Sequence, residues 1–357
     1  MPETIYRGRR AWSIENEQIR VTLLVEGGHL AELLHKPSGV NPMWTPPWPS
    51  VEPSKYDPAV HAATFGDHAE SKLLAGIIGH NLCMDIFGGP SAEEAAAGLL
   101  PHGEGSIVAY DMNLAAGELV AKATFPMAQL AFERRISLSG HVAVIKETVQ
   151  NLSRTDKATA WTQHATLGPP FLEKGKTLFR LPGTRSRVYE TDFAGEFGRY
   201  QTGADFQWPM VPLKTGGELD LRVLPDAEAS GGYTAHLMDP RRDKAFFTAW
   251  TPSSRVVCGY AWHRADFPWL GIWEENYSRK QAPWNGKALT RGMEFGVSPM
   301  PESRRQMIER GSMFGTPGFR WIPALSRVTA TYCAFVTTAS AVPESLDWDG
   351  AGKLVLK

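Results

Sequence analysis

Residues 130–149 run Leu130-Ala131-Phe132-Glu133-Arg134-Arg135-Ile136-Ser137-Leu138-Ser139-Gly140-His141-Val142-Ala143-Val144-Ile145-Lys146-Glu147-Thr148-Val149. Leu130, Phe132, Ile136 and Leu138 share one face of an extended chain, and Arg134 interrupts it. Alternation of this kind predicts a half-buried strand. Ser139-Gly140 turns the chain, and the apolar run from Val142 to Ile145 continues through Glu147 and Val149. The stretch therefore reads as two antiparallel strands. The same pattern recurs at Ile19, Val21, Leu23 and Val25. It recurs in the pair Ala245–Trp250 and Arg255–Tyr260, and again at Val328, Ala330, Tyr332, Ala334 and Val336.

The 34 glycines and 26 prolines are spread along the chain and suit many short strands better than a few long helices. Two helices are expected. Ser91-Ala92-Glu93-Glu94 reads as a capping box before Ala95-Ala96-Ala97, with Gly98 as the stop. Glu302 to Arg310 reads as two further turns before Gly311. The expected fold is all-β, a large antiparallel β-sandwich with few short helices. Strand density does not drop in the middle, so a single domain over residues 1–357 is expected.

The 37 basic and 38 acidic residues leave a formal net charge of −1, so no global field favours nucleic acid or an anionic membrane. No apolar stretch is long enough to span a bilayer. Met1 to Arg7 has no apolar run behind it, which argues against a secretory signal. Cys83, Cys258 and Cys333 are odd in number and lack metal-ligand spacing. They predict no disulfide framework, no metal site and a cytoplasmic location.

Three distant segments carry acid–base groups. His102 lies between Pro101 and Gly103, at a loop tip or strand start. His164 ends a strand from Ala158, on the face of Ala158, Ala160 and Thr162, with Trp161 and Gln163 on the other. The apolar run Phe267 to Trp273 delivers Glu274 and Glu275, which point to opposite faces. Two imidazoles and a carboxylate suit proton shuttling on a neutral, hydroxyl-rich ligand. Trp44, Trp48 and Trp273 offer flat faces for the apolar side of a sugar ring.

The order His-Gly, strand-borne His, Gly-Ile-x-x-Glu resembles the aldose 1-epimerase (galactose mutarotase-like) superfamily. Glu26-Gly27-Gly28-His29-Leu30-Ala31-Glu32-Leu33 and Asn41-Pro42-Met43-Trp44 are similar to that family's opening, and the likeness spans roughly residues 18 to 340. The resemblance implies a mutarotase that opens a sugar ring and recloses it on the other face at C1. It implies His164 as general acid, Glu275 as general base with Glu274 as competitor, and His102 as a sugar-holding histidine. It implies no cofactor. The implied partner is a small-molecule sugar, on a monomer or homodimer.

The chain also departs from the family. The sugar-binding arginine expected in Gly79-His80-Asn81-Leu82-Cys83-Met84-Asp85 is absent, and His80, Asn81 and Asp85 are the candidates to replace it. Gln163 stands before the strand histidine where the family has Asn. A further sugar-binding aspartate has no counterpart. The other readings are a carbohydrate-binding protein without turnover, and a sugar lyase or hydrolase. Hydrolysis would want two carboxylates about one bond.

Overall fold

The computed structural model describes residues 3–357; Met1 and Pro2, at the start of the segment read for a secretory signal, lie outside them. Two antiparallel sheets, of twelve and eight strands, make up the body of the molecule. The larger sheet begins with Glu3–Tyr6, Arg9–Glu15, Ile19–Leu24 and Leu30–His35. It continues through His80–Asp85, Lys157–Leu167, Leu289–Gly296, Trp269–Asn276 and Ser230–Met238, and ends with Gly183–Val188 and Asp205–Gln207. Arg320–Ile322 pairs with the start of Lys157–Leu167. The smaller sheet runs Leu178–Arg180, Lys244–Thr251, Val256–His263, Arg327–Thr338, Val142–Asn151, Leu130–Ser139, Glu118–Phe125, Asp111–Ala115.

The residue 130–149 hairpin sits inside the smaller sheet, with Phe132 opposite Val149 and Leu138 opposite Ala143. Arg134, the charge that broke the alternation, lies directly opposite Glu147. Their side chains meet at 2.7 Å, almost fully buried. Removing either partner would leave an uncompensated buried charge, at a cost of about 3–5 kcal/mol. Leu130, Phe132, Ile136, Ile145 and Val149 of this hairpin face Leu23, Trp161, Ile272 and Phe295 of the larger sheet across the main core.

Strand alternation then decides which side chains leave that core. On Lys157–Leu167, Trp161 joins the inter-sheet cluster and Gln163 bonds Glu147 within it. His164 points to the outer face of the larger sheet. A second apolar cluster covers that face, built around Trp44, Leu74, Tyr233, Trp273 and Trp284.

Both expected helices form, as Ala92–Ala96 and Arg304–Arg310. Ser91 with Glu94, and Ser303 with Gln306, make reciprocal capping boxes. Two more helices, Pro58–Phe65 and Ser71–Gly76, were not expected. Asp57 caps the first, and Pro58 opens it. Five of the six residues of the second are buried, so packing holds this short turn of helix against the outer face of the sheet. No helix among the described residues is long and apolar enough to cross a membrane.

Candidate functional site

A cavity of about 200 Å³ opens on the outer face of the larger sheet. His164, Glu294 and Trp273 line it from three adjacent strands, and His102 lines it from a turn. Leu73, Leu74 and Ile77 enter from the helical segment. Glu70, Phe193, Arg279 and Trp284 also border it.

The pairing register brings the acid–base groups together. His164 sits directly opposite Glu294, which sits opposite Gly271 on the next strand. The His164 Nε2 lies 3.0 Å from the Glu294 Oε1. That oxygen is off hydrogen-bonding angle and has no other partner, although Glu294 is only 2% exposed. Gly292 leaves the room this carboxyl occupies: a Cβ there would come within 2.5 Å of the Glu294 Oε1. The second ring nitrogen of His164, Nδ1, shares a 2.9 Å bond with Thr166 Oγ1, which orients the ring.

His102 completes the group, its ring 5.5 Å from that of His164 and nearly perpendicular to it. Its backbone adopts φ +61°, a left-handed conformation uncommon outside glycine. Gly103 follows at φ +75°, where a Cβ would lie 2.1 Å from the Met84 carbonyl oxygen. Close approach of the turn to strand His80–Asp85 therefore requires glycine at 103.

Burial sets the electrostatics. It pushes the Glu294 carboxyl well above its ordinary value. It holds His164 well below its own, with the neighbouring His102 adding to the effect. Burial also lowers His102, against the opposing pull of Glu70. Both shifts favour the uncharged forms, a neutral imidazole facing a protonated carboxyl.

The expected carboxylates lie elsewhere. Glu275 is on the Trp273 face of its strand but does not reach the cavity. Its oxygens accept from the Ser278 amide and hydroxyl, each at 2.7 Å, and from the Arg279 amide at 3.1 Å. It also holds the Arg279 Nε at 3.4 Å. Glu274 points to the opposite face and pairs with Arg291, Tyr200 and Ser230. Local turn geometry captures the first and a buried arginine the second. Glu294, which sequence reasoning missed, is the carboxyl at the site. Its signal was a single acid in the short strand Leu289–Gly296, two residues after a glycine.

The candidates to replace the missing arginine also lie off the cavity. His80 faces the inter-sheet core, bonded to Tyr260 and Gln163. Asn81 is on the outer face but is engaged by Ser106. Asp85 pairs with Arg304 and Lys157. The guanidinium that does border the cavity is Arg279, stacked 4.7 Å over Trp284 and 5.5 Å over Trp273. Its side chain makes no hydrogen bond within the described chain beyond its contact with Glu275.

Of the three tryptophans, Trp273 lines the cavity, and its indole N–H is buried without a partner. Trp44 stacks on Trp284 behind the wall, and Trp48 donates to the Leu74 carbonyl. No group of three or more His, Cys, Asp or Glu side chains gathers in metal-binding geometry among the described residues.

No family model matches the chain, and no curated protein matches it in sequence. Solved structures do match it in fold. A Klebsiella pneumoniae protein named as a candidate aldose 1-epimerase aligns with TM-score 0.64 and 12% identity, over 93% of this chain and 80% of its own. A galactose mutarotase related enzyme from Lactobacillus acidophilus aligns with TM-score 0.59 and 12% identity, over 92% and 97%. A galactose mutarotase-like protein from Clostridium acetobutylicum aligns with TM-score 0.59 and 14% identity, over 94% and 98%. The chain has the galactose mutarotase-like β-sandwich fold.

Proposed function

We propose that the protein is a sugar epimerase acting at the anomeric carbon, with the His164–Glu294 pair as its proton-transfer centre. One observation carries this reading. A buried carboxyl with an unpartnered oxygen lies 3.0 Å from an imidazole at the edge of the cavity on the outer face of the larger sheet. Fold likeness adds a prior and no more than that.

Mutarotation moves one proton off the C1 hydroxyl and one onto the ring oxygen. Both oxygens are bonded to C1, so a donor and an acceptor lying side by side can serve both. Glu294 gives its proton to the ring oxygen while the His164 Nε2 takes the C1 hydroxyl proton. The ring opens to a neutral aldehyde, and the pair is left as carboxylate and imidazolium. Rotation about C1–C2 and the reverse transfers close the ring on the other face. The environments of the two groups favour a carboxylic acid donor and a neutral imidazole acceptor, which exchanges the roles expected from the motif resemblance. His102 donates a hydrogen bond to a sugar oxygen. Trp273 N–H and Arg279 supply further donors for hydroxyls. Arg279 already faces Glu275, so it brings no uncompensated positive charge for a phosphate.

The test is anomer-exchange NMR over a panel of neutral aldoses and their phosphates. Catalysed exchange of at least one neutral sugar is expected. A sugar that binds in this cavity with no acceleration of exchange across the panel would make the protein a binding module and end the enzyme reading.

A further inference from the structure

Cys83 lies on strand His80–Asp85, on the same outer face as Asn81, and is fully buried. Its Sγ is 3.0 Å from the His102 Nδ1. The other side-chain polar atom recorded against it is Asn81 Nδ2 at 3.9 Å, an amide that can only donate. Burial, reinforced by the nearby Glu294, pushes this thiol well above its ordinary value, so it keeps its proton. Of the side-chain atoms recorded against the sulfur, the His102 Nδ1 is the one at close hydrogen-bonding distance that can accept from its S–H.

We infer that Cys83 is a positioning residue that holds His102 in one tautomer, with Nδ1 accepting from the thiol and the ring proton on Nε2. That proton is then available to a ligand oxygen. His102 enters the cavity as a donor rather than as a mixture of donor and acceptor. The backbone holds the same residue from below: φ +61° at His102 and the tight Gly103 contact anchor its Cα against the strand. The thiol then sets the ring. Asn81, donating to Ser106 at 3.0 Å, stands behind the sulfur. In this role the inference rests on the epimerase reading, but the tautomer itself does not.

The experiment has two arms. Nitrogen-15 NMR of the histidine rings reads the tautomer directly, with no need for activity. An unprotonated Nδ1 and a protonated Nε2 are expected for His102 in the native protein. Cys83→Ala should give a mixture of tautomers, and Cys83→Ser, whose hydroxyl can donate, should restore the native pattern. A protonated Nδ1 in the native protein overturns the proposal, even if Cys83→Ala fails to fold.

The second arm compares anomer exchange across pH. Cys83→Ala should lose roughly tenfold at neutral pH, a typical scale for removing an orienting contact to a reacting group. The loss should shrink as pH falls, because an imidazolium donates from both nitrogens. The charged and titratable groups facing His102 are Glu70, Arg279 and His164. None of them is changed by the substitution, so a pH-dependent deficit reports His102 itself. A deficit constant with pH, or no deficit, would mean that Cys83 only fills space.

Discussion

Gln163 and His164 are consecutive residues on one strand and face opposite circumstances. Gln163 enters a polar network between the sheets in which every group is matched. Glu147 accepts from Arg134, Trp161, Gln163 and Tyr332, at 2.6–2.9 Å. His80 bridges Gln163 and Tyr260. On the other side of the same strand, His164 faces a carboxyl with an unsatisfied oxygen, beside an indole N–H that also lacks a partner. Both networks are buried, and both contain histidine and glutamate. Burial of titratable groups therefore does not identify a site. Unsatisfied capacity next to a cavity does, because the missing partner is what a ligand supplies.

Acid should act most strongly, through the buried histidines. Burial lowers His80 to about 3, from an ordinary 6.5. Between those values the unfolded chain binds a proton that the folded chain refuses, so stability is lost as pH falls from 6.5 toward 3. The slope is about 1.4 kcal/mol per pH unit for this group alone. Denaturant titrations at stepped pH should show it, and a flat stability across that window would mean that His80 is not buried in the matched network.

Breaking the inter-sheet network at its hub comes next. Glu147→Ala leaves Arg134 buried without its ion pair and should cost about 3–5 kcal/mol of stability, read by chemical unfolding. Less than about 1 kcal/mol would show that water reaches the inter-sheet core.

Glu294→Gln should show the opposite behaviour. Anomer exchange should fall at least about a hundredfold, with the unfolding midpoint unchanged or raised, since the exchanged group was never fully paired. Wild-type exchange in this variant would remove Glu294 from the reaction. The smallest effect is expected at Glu275→Gln. It should lower stability by about 1–3 kcal/mol, through the turn donors it leaves unmatched, and exchange by less than about tenfold. If this variant, still folded, lost as much exchange as Glu294→Gln, the assignment of the carboxyl would revert to strand Trp269–Asn276.

The fold was largely legible from alternation and turn chemistry. The hairpin from Leu130 to Val149, the Ala245–Tyr260 pair and the two capping boxes are local patterns, and local patterns survive without knowledge of neighbours. The helices Pro58–Phe65 and Ser71–Gly76 were not legible, since both are short and lean on tertiary packing. His102 and His164 drew attention because a histidine beside glycine, or at a strand end, stands out in sequence, and both line the cavity. Glu294 was missed because the acid after Gly-Ile-x-x attracted attention to Glu275, and its capture by Ser278 and Arg279 depends on a turn that alternation does not describe.

Residue order alone determined that the chain builds antiparallel sheets and that His164 and Gln163 part to opposite faces, and it singled out His102 and His164 as candidate acid–base groups. Tertiary structure decided which carboxyl answers them. A period of two assigns each side chain to a face, but the pairing of strands more than a hundred residues apart places Glu294, and neither Glu274 nor Glu275, across from His164.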